Sequence, residues 1–188
     1  MRLLIRLCSK YYGLFPEHFS EHRAIHCKGN GKIRKQINAY NNAAQYGHYF
    51  VITDLDDTYE CASSLVTDWL PGQRSSQLLF RVAVHEVESW LLADKENFAV
   101  FFSISRDLIP VEPDNESDPK QTVISLARRS RKRKIREDIV PIDDYASIGP
   151  GYNIQFQKFI QNFWDINSAR KYSPSLDRTI KSLESIII

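Results

Sequence analysis

The sequence predicts an α/β fold, with a mainly parallel sheet flanked by helices and a helical C-terminal third. Two apolar runs, residues 48–54 and 78–86, lack the alternation of a half-exposed strand and are typical of strands buried on both faces. A segment with helical spacing follows each run. The order strand, helix, strand, helix implies parallel strands joined by right-handed crossovers. The functional groups of such a sheet are expected at the carboxyl ends of its strands.

The first half of the chain alternates helices and strands. Apolar residues recur at helical spacing near the start, and Gly13 and Pro16 end that helix. Two further glycines make a turn, and Gly47 breaks the helix that follows it. The predicted elements are, in order, a helix over 2–14, a weak strand over 24–27, a turn over 29–32, a helix over 33–45, the strand 48–54 and a helix over 63–70.

The second half is mainly helical after its one strand. Asp118 before Pro119 is a helix start signal, with proline at the first helical position, and Asp94 is predicted to cap the helix after it. We expect a single domain, with an α/β core over 1–104 and a helical extension over 105–188 packed on it. The predicted elements are the strand 78–86, helices over 87–92, 95–102, 119–130, 153–163, 164–171 and from 174 onward, and loops over 105–118 and 141–151.

Length and composition argue against a membrane protein and favour an intracellular one. The chain has 188 residues, of which 43% are hydrophobic, so it can bury a core. Its apolar stretches are too short to cross a membrane, and the first residues, where Arg6 interrupts a short apolar run, do not resemble a signal peptide. Three cysteines without metal or redox spacing indicate a reducing compartment. We therefore expect a cytoplasmic protein.

Three carboxylates follow the first apolar run. Because side chains alternate along a strand, Asp54 and Asp56 are expected to project together from its carboxyl end, whereas Asp57 points away or begins the turn. Two adjacent carboxylates repel each other unless a cation lies between them. Mg²⁺, or Mn²⁺ in its place, is the hard cation that such oxygen ligands hold. Asp54 and Asp56 are therefore the predicted metal ligands.

Two glutamates follow the second run, at the same edge of the predicted sheet. Glu86 and Glu88 are candidate catalytic residues that could complete the cation site or orient a water molecule, and Glu86 is also a candidate metal ligand. Alternatively, their charges stabilise the start of the helix over 87–92 through its macrodipole. His85 has two similar alternatives, because it could be a base or ligand or a hydrogen-bonded structural residue.

The positive charge of the chain is concentrated in one run. The net charge is only +2, yet residues 128–136 hold seven basic residues and no acidic one. These basic residues are Arg128, Arg129, Arg131, Lys132, Arg133, Lys134 and Arg136. Such a run is either a solvated helix face or a contact surface for nucleic acid. Lys32, in the glycine turn before a helix, could help to hold a phosphate, although a tight turn that caps the helix also explains this pattern.

The local pattern Asp54-Leu55-Asp56-Asp57-Thr58 resembles the haloacid-dehalogenase phosphatase motif. The resemblance implies that Asp54 is a nucleophile and Asp56 a general acid/base. Two features argue against it. That motif normally follows the first strand of the chain, whereas about 50 residues precede it here, and a downstream Gly-Asp-x-x-x-Asp type of metal motif is absent from the sequence. A phosphatase is therefore the third function that we consider.

A wider resemblance covers most of the chain. It is carried by Gly29–Ile33, Ala39–Ala44, Thr53–Asp56, Leu79–Asp94, Asp118–Thr122, Gly149–Asn153 and Ser173–Leu176, and most distinctively by His85-Glu86-Val87-Glu88-Ser89-Trp90-Leu91-Leu92. These segments resemble a Toprim-like family of uncharacterised bacterial proteins, similar to the nuclease part of overcoming-lysogenization-type defence systems. The resemblance implies a Toprim-like (Rossmann-like) sheet and an Mg²⁺-dependent nuclease or nuclease-like subunit that acts on nucleic acid in phage defence. It also implies an ATPase partner protein.

One element of that family's pattern has no counterpart in this sequence. The family's first strand ends in a Glu just before a leucine-rich helix, whereas this sequence starts within that helix. Either the true start codon lies further upstream, or the first strand is missing. Glu17 and Glu21 follow the helix and do not replace the missing Glu. This difference favours a second function, a catalytically degenerate module that binds nucleic acid or a partner protein. An unfilled sheet edge would also favour a homo-oligomer.

Overall fold

In a computed structural model of the protein, structure is described for Cys27, for residues 29–55 and for residues 58–185. The helix predicted over 2–14 and most of the strand predicted over 24–27 lie outside the described residues, as do Asp56 and Asp57. The described part is a mixed α/β structure that contains a small two-stranded parallel sheet and helices. None of the helices in this part of the chain is long and apolar enough to span a membrane.

The chain divides into two compact units. The first comprises the described residues up to Val84 together with the chain from Asp177 onward, and the second comprises His85–Leu176. The division therefore falls within the second predicted strand, 78–86. As a result, Asp54 belongs to the first unit, whereas Glu86 and Glu88 belong to the second.

The first unit is built around the parallel strand pair that the sequence predicts. Its elements are α1 (Asn30–Ala43), β1 (Tyr49–Asp54), α2 (Ala62–Trp69) and β2 (Leu78–Ala83). The strands pair from Tyr49 opposite Leu78 to Asp54 opposite Ala83, and the prediction of parallel strands is confirmed. The helices are amphipathic, so they pack their apolar faces on the sheet and keep their charged faces in water. The buried core consists of Ile37, Ala44, Val51, Leu55, Leu65, Trp69, Leu70, Leu78, Phe80 and Val82.

Two boundaries in this unit differ from the prediction. Helix α1 begins at Asn30, three residues early, because Gly29 has a φ of 101° and turns the chain so that Gly31 and Lys32 lie in the first helical turn. Strand β2 ends at Ala83 rather than at Glu86. Its neighbour β1 ends at Asp54, and the last ladder contact is the hydrogen bond from Leu55 N to Ala83 O, at 3.0 Å. Beyond that point, no partner strand among the described residues extends the second strand.

The second unit is helical. Its elements are α3 (Val87–Leu92), α4 (Lys95–Phe102), α5 (Pro119–Arg128), α6 (Arg133–Ile139), α7 (Tyr152–Asn162) and α8 (Ile166–Ala169). The last helix, α9 (Pro174–Glu184), begins in this unit and continues into the first. The predicted bounds of α3 and α4 are confirmed, and the loop predicted over 105–118 contains two short 3-10 turns.

Buried aromatic and polar contacts hold the second unit together. Phe98 stacks on Phe102, with ring centroids 4.0 Å apart, and meets Phe159 edge-on at 5.5 Å. The indole of Trp90 donates to Ser175 Oγ at 2.7 Å, and the indole of Trp164 donates to Trp90 O at 3.1 Å. Each buried indole therefore satisfies its one donor, as burial requires.

Two predicted residues stand at helix starts in this unit, but only Asp118 caps its helix with its side chain. Asp118 caps α5, because its Oδ1 accepts from Gln121 N at 2.8 Å. Asp94 occupies the N-cap position of α4, and its Oδ2 accepts from Asn97 Nδ2 at 2.9 Å and from Asp165 N at 2.6 Å. Asp94 thus ties α4 to the start of α8, a contact that its sequence position does not predict.

The turn before α7 packs tightly on the end of α6. A Cβ added to Gly149 would lie 2.4 Å from Asp138 O, and one added to Gly151 would lie 2.4 Å from Asp138 Cγ. Gly149 N donates to Ile139 O at 3.0 Å, and Gly151 N donates to Asp138 O at 2.8 Å. A Cβ would collide with backbone atoms at Gly149 and with the Asp138 side chain at Gly151, so both positions favour glycine. This packing sets where Tyr152, the first residue of α7, enters the unit.

Candidate functional site

Asp54 is the last residue of β1, at the carboxyl end of the parallel pair, where the sequence places it. It is partly exposed. Asp56, the second predicted metal ligand, lies outside the described residues. Of the two carboxylates predicted to hold a cation, the structure therefore positions one.

Asn30 links the start of α1 to this strand end. Thr53 Oγ1 donates to Asn30 Oδ1 at 2.8 Å, and Asn30 Nδ2 donates to the backbone carbonyl of Asp54 at 3.4 Å. Thr53 itself is buried. Sequence reasoning assigned no role to Asn30, although an Asn between two glycines at a helix start is a signal for a side-chain contact with the backbone. This bridge brings the glycine turn beside the candidate site.

Lys32 lies in the first turn of α1, two residues after Asn30, and its side chain is exposed. Its backbone N–H donates to Gly29 O at 3.2 Å, so the tight turn expected from the sequence is present. Because the helix is 14 residues long, its amino end carries a partial positive charge, to which Lys32 adds a full one. The amino end of α1 therefore brings positive charge to this end of the first unit.

In the second unit, Glu86 is engaged by the start of α5. Lys120 Nζ forms a salt bridge with Glu86 Oε1, and Lys120 N donates to Glu86 Oε2 at 3.0 Å. Both partners are more than half covered by the protein. Glu86 stands at the N-cap position of α3 but makes no side-chain cap there. Its negative charge thus stabilises the amino end of α5 rather than that of its own helix.

Glu88 lies in the first turn of α3 and is partly buried. Tyr152 Oη, from the buried first residue of α7, donates to Glu88 Oε1 at 2.9 Å. Burial raises the pKa of Glu88, although the nearby charge of Lys120 opposes that shift. Burial and the Glu88 charge together raise the pKa of Tyr152, so the phenol stays protonated and remains a donor. Sequence reasoning missed Tyr152; its only signal was the Gly-Pro-Gly turn before it.

The donors in the described part of the chain fit a cation only in part. Asp54 has the right chemistry, a carboxylate at a strand end. Glu86 does not fit as a ligand in this arrangement, because Lys120 holds both of its oxygens. No group of three His, Cys, Asp or Glu residues that could hold a metal ion is found among the described residues. His85 lies in the bend between β2 and α3.

The basic run is not a continuous helix. Helix α5 ends at Arg128, and α6 begins at Arg133. Between them Ser130 is buried, and its hydroxyl donates to the backbone carbonyl of Phe102 at the end of α4. The prediction of a helix over 119–130 is therefore two residues too long. The physical reason is that a hydroxyl that bonds to another helix's carbonyl fixes a turn at this point.

Four of the seven basic side chains are used within the second unit. Lys132 Nζ donates to the carbonyl of Phe101 at 2.8 Å, at the negative end of α4. The other three contacts are Arg133 Nε with Glu137 Oε1 at 2.6 Å, Lys134 Nζ with Asp138 Oδ1 at 2.9 Å, and Arg136 Nη1 with Ser130 O at 2.5 Å. The side chains of Arg128, Arg129 and Arg131 are exposed and form no hydrogen bond or ion pair with any described residue. These three are the cations that remain for an external anion.

The chain matches no family model, no curated protein and no solved structure. The Toprim-like resemblance and the phosphatase alternative therefore stay predictions, and the functional argument depends on the residues and their geometry.

Proposed function

We propose that this chain is a Toprim-like nuclease, or nuclease-like subunit, that acts on nucleic acid with Mg²⁺ or Mn²⁺ held by Asp54 and Asp56. One observation carries the proposal: Asp54 ends a strand of a parallel pair, and Asn30 ties the positive amino end of α1 to that strand end. Ligand sites of parallel α/β sheets lie at this edge. The proposal includes the finer fold, a Rossmann-like Toprim sheet, and a cytoplasmic role in phage defence beside an ATPase partner, as the resemblance implies.

The chain's own residues have separate roles in this proposal. Bound Mg²⁺ would stabilise the charge that develops on a scissile phosphate. Asn30 fixes the backbone that carries Asp54, and Lys32 attracts a substrate phosphate to the same edge. Other phosphates of the bound nucleic-acid strand contact Arg128, Arg129 and Arg131. Such contacts position nucleic acid without reading its sequence.

A specific observation supports the second candidate, a module that binds nucleic acid without cleaving it. Lys120 holds both oxygens of Glu86, and Tyr152 Oη donates to Glu88 Oε1, so both glutamates are used within the second unit and are lost to a metal site. The three unpaired arginines are unaffected by this loss. If the two glutamates are structural, the protein still binds nucleic acid, and any catalysis depends on Asp54 and Asp56 alone.

A cleavage assay with matched variants tests the proposal. Wild type, Asp54→Asn and Asp56→Asn are incubated with labelled DNA and RNA in Mg²⁺ or Mn²⁺, with Glu60→Gln as the control because Glu60 is an exposed acid of the same unit. Each aspartate variant should lose about 100-fold or more in rate, since metal assistance is worth several kcal/mol and each 1.36 kcal/mol is tenfold. Glu60→Gln should cleave like wild type. Equal cleavage by all four proteins would contradict the metal site.

Two further readouts separate the alternatives. Retained binding of labelled nucleic acid by wild type, with no cleavage in either metal, would favour the binding module, and Arg128→Gln/Arg129→Gln/Arg131→Gln should then abolish binding and its salt dependence. Hydrolysis of small phosphate esters with a covalent phosphate on Asp54, detected by mass spectrometry, would instead favour the phosphatase. Asp54→Asn would remove that adduct.

A further inference from the structure

Arg81 is a cation in the middle of a buried strand. It lies in β2 opposite Ile52, and the other residues of β2 are buried. Arginine is rarely buried unless a counter-charge or a full set of acceptors accompanies it. Here Nη2 of Arg81 donates to Ser182 Oγ on α9. The Nε atom of Arg81 is buried and has no hydrogen-bond partner among the described residues. The guanidinium is thus partly desolvated and only partly satisfied.

Two further arginines of the first unit, Arg74 and Arg178, act electrostatically on this side chain. Burial lowers the pKa of Arg81, and the positive charges of Arg74 and Arg178 lower it further, so both lie within electrostatic reach. Arg178 is one helical turn before Ser182 on α9, and Ser182 Oγ donates to Arg178 O at 2.9 Å. Arg74 lies in the segment between α2 and β2.

Among the residues that the structure describes, no carboxylate forms an ion pair with this cluster of three arginines. None of them forms an ion pair with any residue that the structure describes, and none has a contact beyond those already given. The positive charges of Arg74 and Arg178 near the partly desolvated Arg81 guanidinium oppose folding, and an anion bound among the three would reduce that cost. The fork of donors on arginine matches the oxygens of a phosphate, which makes phosphate the favoured anion.

We propose that Arg74, Arg81 and Arg178, together with the Ser182 hydroxyl, form a binding site for a phosphate-bearing anion. The site is distinct from the proposed nuclease residues. Arg74 precedes β2, at the amino end of the parallel pair, whereas Asp54 is at the carboxyl end. It also lies in the first unit, whereas the basic run lies in the second. The proposal therefore holds whether or not the chain cleaves nucleic acid.

Calorimetric titration of the full chain with inorganic pyrophosphate, in EDTA so that no divalent cation takes part, tests this site. Wild type should bind saturably, with one pyrophosphate per chain. Arg74→Gln and Arg178→Gln should each weaken binding by about tenfold or more, since each removes a charge-assisted contact. Lys35→Gln is the matched control, because Lys35 is an exposed cation of the same unit that does not influence Arg81. Its affinity should stay within about twofold of wild type.

Three results would overturn the proposal: no saturable binding up to about 10 mM pyrophosphate, an equal loss in Lys35→Gln, or no loss in either arginine variant. Arg81→Met gives a second measurement, the anion-dependent rise in melting temperature, which wild type should show and Arg81→Met should lack. If Arg81→Met does not fold, the two surface variants still decide the result.

Competition identifies the source of the phosphate. A single-stranded deoxyoligonucleotide without terminal phosphates is added to the pyrophosphate complex of the Arg128→Gln/Arg129→Gln/Arg131→Gln protein, which lacks the three exposed arginines of the basic run. Displacement of pyrophosphate would assign the site to the phosphodiester backbone of nucleic acid. Retention of pyrophosphate would assign it to a small phosphorylated molecule.

Discussion

Asp54 and Glu86 follow strands in the same way, yet their surroundings differ. Asp54 ends β1, and the neighbouring contact from Asn30 reaches its backbone carbonyl. Glu86 follows β2, and the contacts from Lys120 reach both oxygens of its side chain. In the first unit a helix start therefore fixes the strand that carries a carboxylate, whereas in the second unit a helix start binds the carboxylate itself. The comparison teaches that a position directly after a strand does not by itself decide what an acid does, because the contacts that the neighbouring helix start makes also differ.

In the second unit, Glu88 is held by a side-chain contact as well as Glu86. Glu88 receives the Tyr152 hydroxyl, and Tyr152 is positioned by a turn whose glycines touch the backbone of α6. If this interpretation is correct, changes in the turn should affect the stability of the whole unit, and changes at the ion pair should affect it less. The predictions below test these steps in that order.

The largest effect is expected from Gly149→Ala. The new Cβ would lie 2.4 Å from Asp138 O and 2.6 Å from Ile139 C, and backbone atoms cannot rotate away as a side chain can. We expect a loss of about 3 kcal/mol in the free energy of unfolding, measured by urea denaturation. Gly72→Ala is the control, because no atom lies within 4 Å of its added Cβ, and its effect should stay within about 0.5 kcal/mol. Equal stability of the two variants would show that α6 and the turn are not in contact.

The next effect is expected at the Glu86–Lys120 pair. Lys120→Met leaves a Glu86 carboxylate that is largely covered and has lost its counter-charge, and we expect a loss of about 2 kcal/mol. Because about a quarter to a third of each side chain is exposed, solvent screens the pair, and the coupling measured by a cycle with Glu86→Gln should be about 1 kcal/mol. The more exposed pair Arg133–Glu137 is the reference, with an expected coupling of about 0.4 kcal/mol. A coupling near zero for Glu86 and Lys120 would leave Glu86 available as a ligand.

The comparison also shows which features a sequence can predict. Strand β1, expected over 48–54, is found at Tyr49–Asp54, and helices α3 and α4 have the expected bounds. These elements are predictable because hydrophobic periodicity and helix start signals are local. The neutralisation of Glu86 is not, because Lys120 is 34 residues away, and Tyr152 is 64 residues from Glu88. Such pairs depend on tertiary packing, on which the local pattern carries no information.

The basic run illustrates both cases within nine residues. Arg133 and Lys134 pair with acids four residues later, and the i,i+4 rule applied to the sequence would have found both pairs. Lys132 caps α4 through carbonyls about 30 residues earlier, which no local rule reveals. The expectation of seven available cations is therefore too high for the second unit, and three exposed arginines carry what remains of it.

A pH-dependent effect is expected at Glu88. Because burial raises its pKa above the ordinary value of 4.5, the folded chain binds this proton more tightly than the unfolded chain does. The stability that this group contributes is present below pH 4.5 and is lost as the pH rises through the folded-state pKa. Glu88→Gln should therefore gain stability relative to wild type between pH 4.5 and pH 7.5, measured by urea denaturation at both values. Asp144→Asn controls for the loss of one surface carboxylate, and a Glu88→Gln difference that is the same at both pH values would contradict the assignment.

The smallest effect is expected at Cys61, where hydrogen bonds stabilise the negative charge of a thiolate. It should change the reactivity of the thiol rather than the stability of the protein. Cys61, exposed before α2, lies 2.9 Å from the Ser63 hydroxyl, and hydrogen bonds from Ser63 and Ser64 lower the pKa of its thiol to about 7. In a Cys8→Ser/Cys27→Ser background, alkylation by iodoacetamide should reach half its maximal rate near pH 7, because the thiolate is the nucleophile. Ser63→Ala should move that midpoint upward, since Ser63 provides the largest contribution. A midpoint that does not move would show that the Ser63 hydroxyl does not stabilise the thiolate. The hydrogen bonding around Cys61 would then be weaker than the contacts of Lys120 with Glu86.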